Sequence, residues 1–418
     1  MGAGAEPAAP FSSPMWHLPD WIPSLLLGHP ERSAVLSDRD ARLVALAQFV
    51  VAFSWNYVYV FLPFYILRIS PHDRETTLLW TGLILGVTGV ASTLFAPLWG
   101  GMASRVSPKL LYEVGILIQV GLFACFALTA NLPVLFLLRM AIGMVGGTST
   151  MGLILIAVAS GRERITSNVG FFQSAMTLGQ ITGPFVGAFS ADLLGFTPTF
   201  LLGSLVLSVA FFAVRLRVPW VEPLRPPPPE VRITRRRLLA GWLVCFTATL
   251  QLVFLPSVLP EVLRDLGVSG AGAVRVAGAI VLAYGLAAAV GAVLVSRGAG
   301  RFGRRRTVLV AGGLASLLQV ALWLPGSVGV FTALRILQTG LIAGVIPIVF
   351  AQVTEGAAGA RIGLINTSRF SGNAAGPLLA TFFFAHFSPL LLYGTLAVLT
   401  LASLAAFYRT PLSRVRPA

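Results

Sequence analysis

Apolar stretches long enough to cross a bilayer recur along the whole chain. About 18 or more apolar residues with few charges read as a membrane-spanning helix. Lipid satisfies no backbone polar group, so only helices or closed barrels can cross it. Twelve such spans can be drawn, at 43–67, 78–103, 110–130, 132–158, 168–192 and 197–214, then 239–260, 273–296, 307–325, 328–353, 363–386 and 388–408. They are numbered one to twelve below. Only 11% of the 418 residues are charged and mean hydropathy is +0.84, whereas soluble domains carry roughly 25% charged residues. The expected fold is an all-α polytopic membrane protein.

Between spans six and seven lies RLRVPWVEPLRPPPPEVRITRRR (215–237), with four consecutive prolines and seven arginines. It reads as a solvated linker. The expected organisation is a tail (1–42), a six-helix bundle (43–214), a basic proline-rich linker (215–238), a second six-helix bundle (239–408) and a short tail (409–418). A net charge of +15 raises the question of a nucleic-acid partner, but that needs the charge gathered on one exposed face or arm. Here the charge follows topology. With both termini cytoplasmic, 23 of the 30 basic residues fall in cytoplasmic segments, as the positive-inside rule requires. The reading is a multi-pass protein of the cell membrane, inner or plasma, with no nucleic-acid partner. Only Arg139, Arg335 and Arg369 remain within the spans.

The halves repeat. At a spacing of 193 residues, Phe-Leu-Pro at 61–63 matches the same triplet at 254–256, and Gly170, Gly179, Gly183 and Pro184 match Gly363, Gly372, Gly376 and Pro377. Between these blocks the spacing becomes 196, which aligns Arg105 with Arg301, Lys109 with Arg305 and Arg139 with Arg335. Parallel repeats joined by a long loop imply two pseudo-symmetric six-helix bundles about a central cavity, which is a transporter architecture.

Four segments carry a family resemblance. The loop GGMASRVSPKLL (100–111), with Gly100, Arg105 and Lys109, resembles the G-x-L-A-D-R-x-G-R-K loop of the major facilitator superfamily. Its second copy, SRGAGRFGRRRTVL (296–309), supplies Arg301, Gly303, Arg304 and Arg305. RMAIGMVGG (139–147) in span four resembles the family's R-x-x-x-G pattern, and GQITGPFVGA (179–188) in span five resembles the antiporter signature G-x-x-x-G-P-x-x-G-G. The chain therefore resembles that superfamily over essentially its whole length, and is most similar to the twelve-span drug:proton antiporters. The resemblance implies a monomeric secondary transporter in membrane lipid, working by alternating access without a cofactor. It further implies proton-coupled export of amphipathic small molecules. The family's loop aspartate falls on Ser104 and its second loop glycine on Ser107, which leaves the family's conformational latch without its acid. Arg105 and Lys109 can still face helix carboxyl ends, whose partial charge is negative, or serve topology alone.

Gly179, Gly183 and Gly187 share one helix face, and small residues let membrane helices approach closely. Pro184 removes the hydrogen bond to residue 180 and can bend the helix. Gly372, Gly376 and Pro377 repeat the pattern in span eleven. The stripe reads either as a joint that rocks between states or as ordinary small-residue packing, and its repetition favours architecture.

Charge at mid-membrane costs roughly 2.5–3.5 kcal/mol on insertion scales, so polar groups inside spans point to a pathway. Arg139 and Arg335 each lie about 10 Å into their spans, and Glu113 about 6 Å from the cytoplasmic end of span three, at 1.5 Å per residue. Those depths separate Glu113 from Arg139. Each arginine either contacts cargo or a coupling ion, or donates to backbone carbonyls. Arg369 has Met176 as its repeat partner, and shares a face of span eleven with Asn366 and Asn373. The substrate and coupling candidates are Arg139, Arg369, Asn56, Tyr59, Gln173, Gln251, Arg335, Asn366 and Glu113, with Phe53, Trp55, Tyr57 and Phe246 as nearby aromatics. Span one holds no carboxylate, and His386 near the outer end of span eleven is a further titratable candidate. Arginines without acids suit an organic anion or metabolite as the alternative cargo. A membrane sensor of the same fold is a third reading. There is no phosphate-cradling loop, no metal-ligand spacing and no catalytic constellation, so an enzyme is not expected.

Overall fold

A computed structural model of the chain describes residues 37–103, 105–160, 165–222, 235–270, 272–354 and 359–410, and these are helical without a strand. Fifteen helices form twelve rods. Span one comprises Asp38–Tyr57 and Phe61–Ile69, span two Arg74–Met102, span three Pro108–Ala127, and span four Leu132–Met144 and Thr148–Ala159. Spans five and six are Ile165–Leu194 and Phe196–Arg217, so Arg215 and Arg217 close span six instead of opening the linker. Span seven comprises Arg235–Val253 and Leu255–Asp265, followed by Ala273–Phe302, Arg304–Ala321, Val328–Thr354, Gly359–His386 and Pro389–Arg409 as spans eight to twelve. Among the described residues, nine rods are long and apolar enough to cross a membrane. The polar residues of spans five and eleven, and the three arginines that open span nine, keep those three below that mark. Exposed Leu205, Leu216 and Leu317 give the bundle an apolar exterior.

An even number of rods puts residues 37 and 410 at one end, called the terminal end below; the opposite end is the far end. Local signals set the rod starts. The Ser37 side chain accepts from the Asp40 N–H, Asp73 from the Glu75 and Thr76 N–H groups, and Asn131 from the Val134 N–H, each supplying a partner to helix donors that would otherwise have none. The break in span one, 58–60, lies just before its Phe-Leu-Pro triplet, and the break in span seven falls on Phe254, the first residue of the second triplet. Pro63 and Pro256 lack an N–H, so the carbonyls of Tyr59 and Leu252 lose their helical partners.

Three apolar clusters build the interior. One belongs mainly to the first half, around Tyr57, Phe61, Tyr112, Phe123 and Phe200. A second, around Val244, Ala311, Ile342 and Val349, belongs to the second half near the terminal end. The third lies toward the far end and mixes the halves: Val60, Leu78 and Ala188 pack with Phe254, Val258, Ile280, Tyr284 and Phe384.

Glycines mark the closest approaches. A Cβ built on Gly179, Gly183 or Gly187 would lie 2.4 Å from the Phe49 oxygen, 2.5 Å from the Phe53 oxygen or 1.8 Å from the Tyr57 oxygen. The stripe therefore seats span five against span one, inside one half. Gly372 and Gly376 repeat this against Thr249 and Val253 of span seven. The halves meet through other glycines. Cβ atoms on Gly82, Gly86 and Gly89 of span two would strike Thr381, Leu378 and Ala374 of span eleven, and one on Gly278 of span eight would strike Ala188 of span five. Toward the terminal end the same rods part, and a Cβ on Gly100, Gly101 or Gly170 would meet nothing within 4 Å.

Candidate functional site

The parting of the rods leaves a cavity of about 340 Å³ at the middle of the bundle. Spans one, two, four and five line it with span eleven and Val253 of span seven. Its apolar wall includes Trp55, Phe172, Met176 and Phe370, and its polar atoms come from Asn56, Tyr59, Thr88, Ser149, Gln173, Gln180 and Asn373. Among the described residues, Arg139 and Arg369 are its charged residues, and no Asp, Glu or His lines it.

The two repeat-related arginines have different surroundings. Arg335 has no exposed surface. Its Nη1 donates to the Gln251 carbonyl at 2.8 Å and to Gln338 Oε1 at 2.7 Å, and its Nη2 donates to the Leu252 carbonyl at 2.9 Å. The guanidinium sits over the rings of Phe254 and Tyr284, 4.9 and 4.8 Å from their centroids. It thus caps the carbonyl freed by Pro256. Gln338 donates in turn to Gln251 Oε1, and Gln251 donates to Thr400 at 2.7 Å. Arg335 and Gln251 are therefore scaffold and do not reach the cavity. Arg139 is nearly as buried, at 3% exposure, and Nε lacks a hydrogen-bond partner in both arginines; what differs is that the Arg139 side chain lines the cavity. Its backbone carbonyl accepts from Thr88 at 3.0 Å, and that of Gly143 accepts from Ser92 at 3.1 Å, which ties span four to span two.

The other sequence candidates fall into three groups. Asn56, Tyr59, Gln173 and Arg369 come together around the cavity. Asn56 donates to the Ala52 carbonyl of its own helix at 2.8 Å. Tyr59 donates to the Val253 carbonyl at 2.9 Å, so one hydroxyl crosses between the halves at the break in span seven. Glu113 lies outside the cavity, buried toward the terminal end, where Lys109 Nζ and Arg215 Nη1 approach at 3.4 and 3.2 Å. Lys109 therefore faces a carboxylate and not a helix carboxyl end. Arg105 and Arg301 are exposed, Gly303 takes a positive φ of 87°, and Arg305 lies over the Tyr408 ring. Arg304 is exposed beside them. Tyr57 is buried away from the cavity. The Asn366 side chain, Ser104 and Glu355 lie outside the described residues.

Apart from His386, two sets of residues escaped sequence reasoning. The first is the hydroxyl lining, Thr88, Ser92, Ser149 and Thr150; its faint signal was hydroxyls one turn apart in span two. The second closes the far end. Arg74 Nε of span two donates to Glu261 Oε2 of span seven at 2.7 Å, and Arg264 holds the same oxygen. Arg275 Nε of span eight donates to Asp192 of span five at 2.8 Å, and His386 Nδ1 of span eleven lies 3.0 Å from Glu75 of span two. The contacts of Arg74, Arg275 and His386 each join one half to the other. The sequence places every one of these groups near a rod end, but pairing across halves depends on the packed fold. The cavity is therefore closed at the far end, beneath the mixed apolar cluster.

The family model for the Major Facilitator Superfamily matches residues 44–249 and 238–418. The chain is 25% identical over 374 residues to the multidrug resistance protein MdtG of Proteus mirabilis, covering 86% of this chain and 91% of that one. The fold is similar to that of the nucleoside transporter NupG, with a TM-score of 0.70 at 14% identity, over 88% of this chain and 98% of that one. It is similar also to the human organic anion transporter MFSD10, with a TM-score of 0.65 at 17% identity, over 88% and 99%.

Proposed function

The chain belongs to the Major Facilitator Superfamily, and from that we propose that this membrane transporter exports amphipathic small molecules by alternating access. The observation that carries the reading is a mid-bundle cavity, lined by both halves and closed at the far end by contacts that cross between halves. Rocking the halves would break those contacts together and expose the cavity to the other side. Positive-inside bias makes the terminal end cytoplasmic, so the described state faces inward. The export direction fits the multidrug resistance in the name of the MdtG relative. Proton drive comes from the family resemblance; among the described residues no carboxylate or histidine lines the cavity, so the reading places it on groups elsewhere, such as His386 and Glu75.

A single cysteine tests the mechanism. Thr150→Cys, in a chain with Cys125 and Cys245 replaced by serine, places the thiol in the cavity wall. A membrane-impermeant maleimide should label it from the cytoplasmic side. Glu261→Gln removes the charge that binds Arg74, and a half-exposed pair of this kind is worth ~1 kcal/mol. Labelling from the far side should therefore rise about fivefold. Labelling equal from both sides, or unmoved by the substitution, would sink alternating access as described. Efflux of a fluorescent substrate from vesicles acidified outside should also accelerate; indifference to the pH gradient removes proton coupling.

A further inference from the structure

We infer that the cavity is an oxyanion site, and that its cargo is an aromatic or aliphatic acid whose anionic group lies between Arg139 and Arg369. The inference rests on the cavity being the cargo site. Among the described residues, no hydrogen bond or ion pair engages either guanidinium. A guanidinium offers five N–H donors and accepts none; Arg139 is buried, where a charge is costly unless something pairs with it, whereas Arg369 is exposed into the opening of the cavity. Arg335 shows what satisfaction looks like in this fold, with carbonyls and an amide oxygen on both terminal nitrogens. Arg139, its repeat counterpart, keeps 3% exposure and shares the unpartnered Nε of Arg335, but among the described residues nothing bonds its terminal nitrogens, and its side chain lines the cavity. Arg369 has Met176 as its repeat counterpart, so repeat symmetry supplies no reason for its charge.

Among the described residues, no opposite partner lines the cavity. The lining offers amides and hydroxyls, from Gln173, Gln180, Asn373 and Thr88, but no carboxylate. Carboxylate and phosphate oxygens fit a guanidinium in bidentate geometry. Trp55, Phe172, Met176 and Phe370 give the rest of the cargo an apolar wall. A cationic amphiphile would fill the same wall while facing two like charges, and like-charge juxtaposition is strongly unfavourable. The cavity thus selects by sign of charge.

Matched probes decide this: 1-naphthoate and 1-naphthylmethylammonium share a ring and differ in charge. Binding to the full chain in nanodiscs can be followed by thermal shift and by Trp fluorescence. Naphthoate should bind at least about tenfold tighter than the ammonium, the size expected for one charge-assisted hydrogen-bond pair. Arg369→Gln and Arg139→Gln should each reduce that preference by about tenfold, and Arg369→Lys should retain most of it. Equal or better binding of the ammonium, binding of neither probe, or naphthoate affinity unmoved in both glutamine variants would overturn the inference. The comparison on the unsubstituted chain stands even if a variant fails to fold. Cysteine labelling is independent of it, so the cargo class and the transport mechanism fail separately.

Discussion

Replacing Arg335 by leucine is expected to remove most of the folded protein from the membrane, whereas Arg139→Leu should leave its abundance near normal and abolish movement of anionic cargo. The two arginines are repeat partners with the same substitution chemistry, so the contrast isolates their surroundings. Losing Arg335 strands the Gln251 and Leu252 carbonyls and Gln338 Oε1 in the interior, and uncovers the faces of Phe254 and Tyr284. Each stranded group costs about 1–3 kcal/mol in a water-free interior. Measured hydrogen bonds between membrane helices fall lower, near ~0.6 kcal/mol on average, so roughly 3 kcal/mol is a cautious total. That is a large part of a stability of ~5–15 kcal/mol. Arg139 holds no partner whose loss would strand it, because its ties to span two run through its backbone carbonyl. Size-exclusion profiles and melting temperatures of the two variants measure the difference. Equal losses in both would show that Arg139 also belongs to the scaffold.

The second large effect comes from two glycines. Gly187→Leu should misfold the chain, while Gly89→Leu should give a folded protein locked open at the far end. The clash is severe at both: a Cβ would sit 1.8 Å from the Tyr57 oxygen in the first case and 2.4 Å from the Ala374 nitrogen in the second. Overpacking against backbone costs about 1–3 kcal/mol or more, because the struck atoms cannot rotate away. What differs is the route of relief. Span five and span one belong to one bundle, so Gly187→Leu can be relieved only by unpacking it. Span two and span eleven belong to different bundles, and a rigid-body swing relieves Gly89→Leu while leaving both cores intact. In the Thr150→Cys background, Gly89→Leu should raise far-side labelling about tenfold or more, the shift that ~1.4 kcal/mol produces, and should stop transport. Comparable yield loss in both variants would mean that the span two–eleven contact is as permanent as the span one–five contact.

Much of this fold is legible in the sequence because the constraints are local. Rod lengths follow from apolar runs and the pairing of halves from the spacing of repeated glycines and prolines, whereas the breaks in spans one and seven were not anticipated, the Phe-Leu-Pro triplets having served only to align the halves. The division of labour between Arg139 and Arg335 was less accessible. Flanking sequence differs by Gln338 and Thr339 one turn beyond Arg335, where Ile142 and Gly143 follow Arg139. An amide at that position is the trace of a network, yet its partners, Gln251 and Thr400, come from spans seven and twelve. The span-five stripe was readable as close packing, but a stripe cannot announce which neighbour it touches. Its partner is span one, and the surface between the halves uses Gly82, Gly86 and Gly89, which no motif had singled out.

Two unpaired arginines and no carboxylate in the cavity also bear on energetics. If the cargo enters as an anion and no proton accompanies it, each turnover displaces charge across the bilayer. A membrane potential of 100 mV, negative inside, is worth about 2.3 kcal/mol per elementary charge. For an outgoing monoanion that drives about a fortyfold concentration ratio. The voltage acts on the empty carrier too, drawing the bare guanidiniums back toward the negative side. In vesicles clamped with a potassium gradient and valinomycin, naphthoate should accumulate on the positive side and disperse when the gradient is collapsed; accumulation indifferent to voltage would mean that a compensating ion travels with it. On this account the cell's electrical polarisation alone can empty the cavity outward.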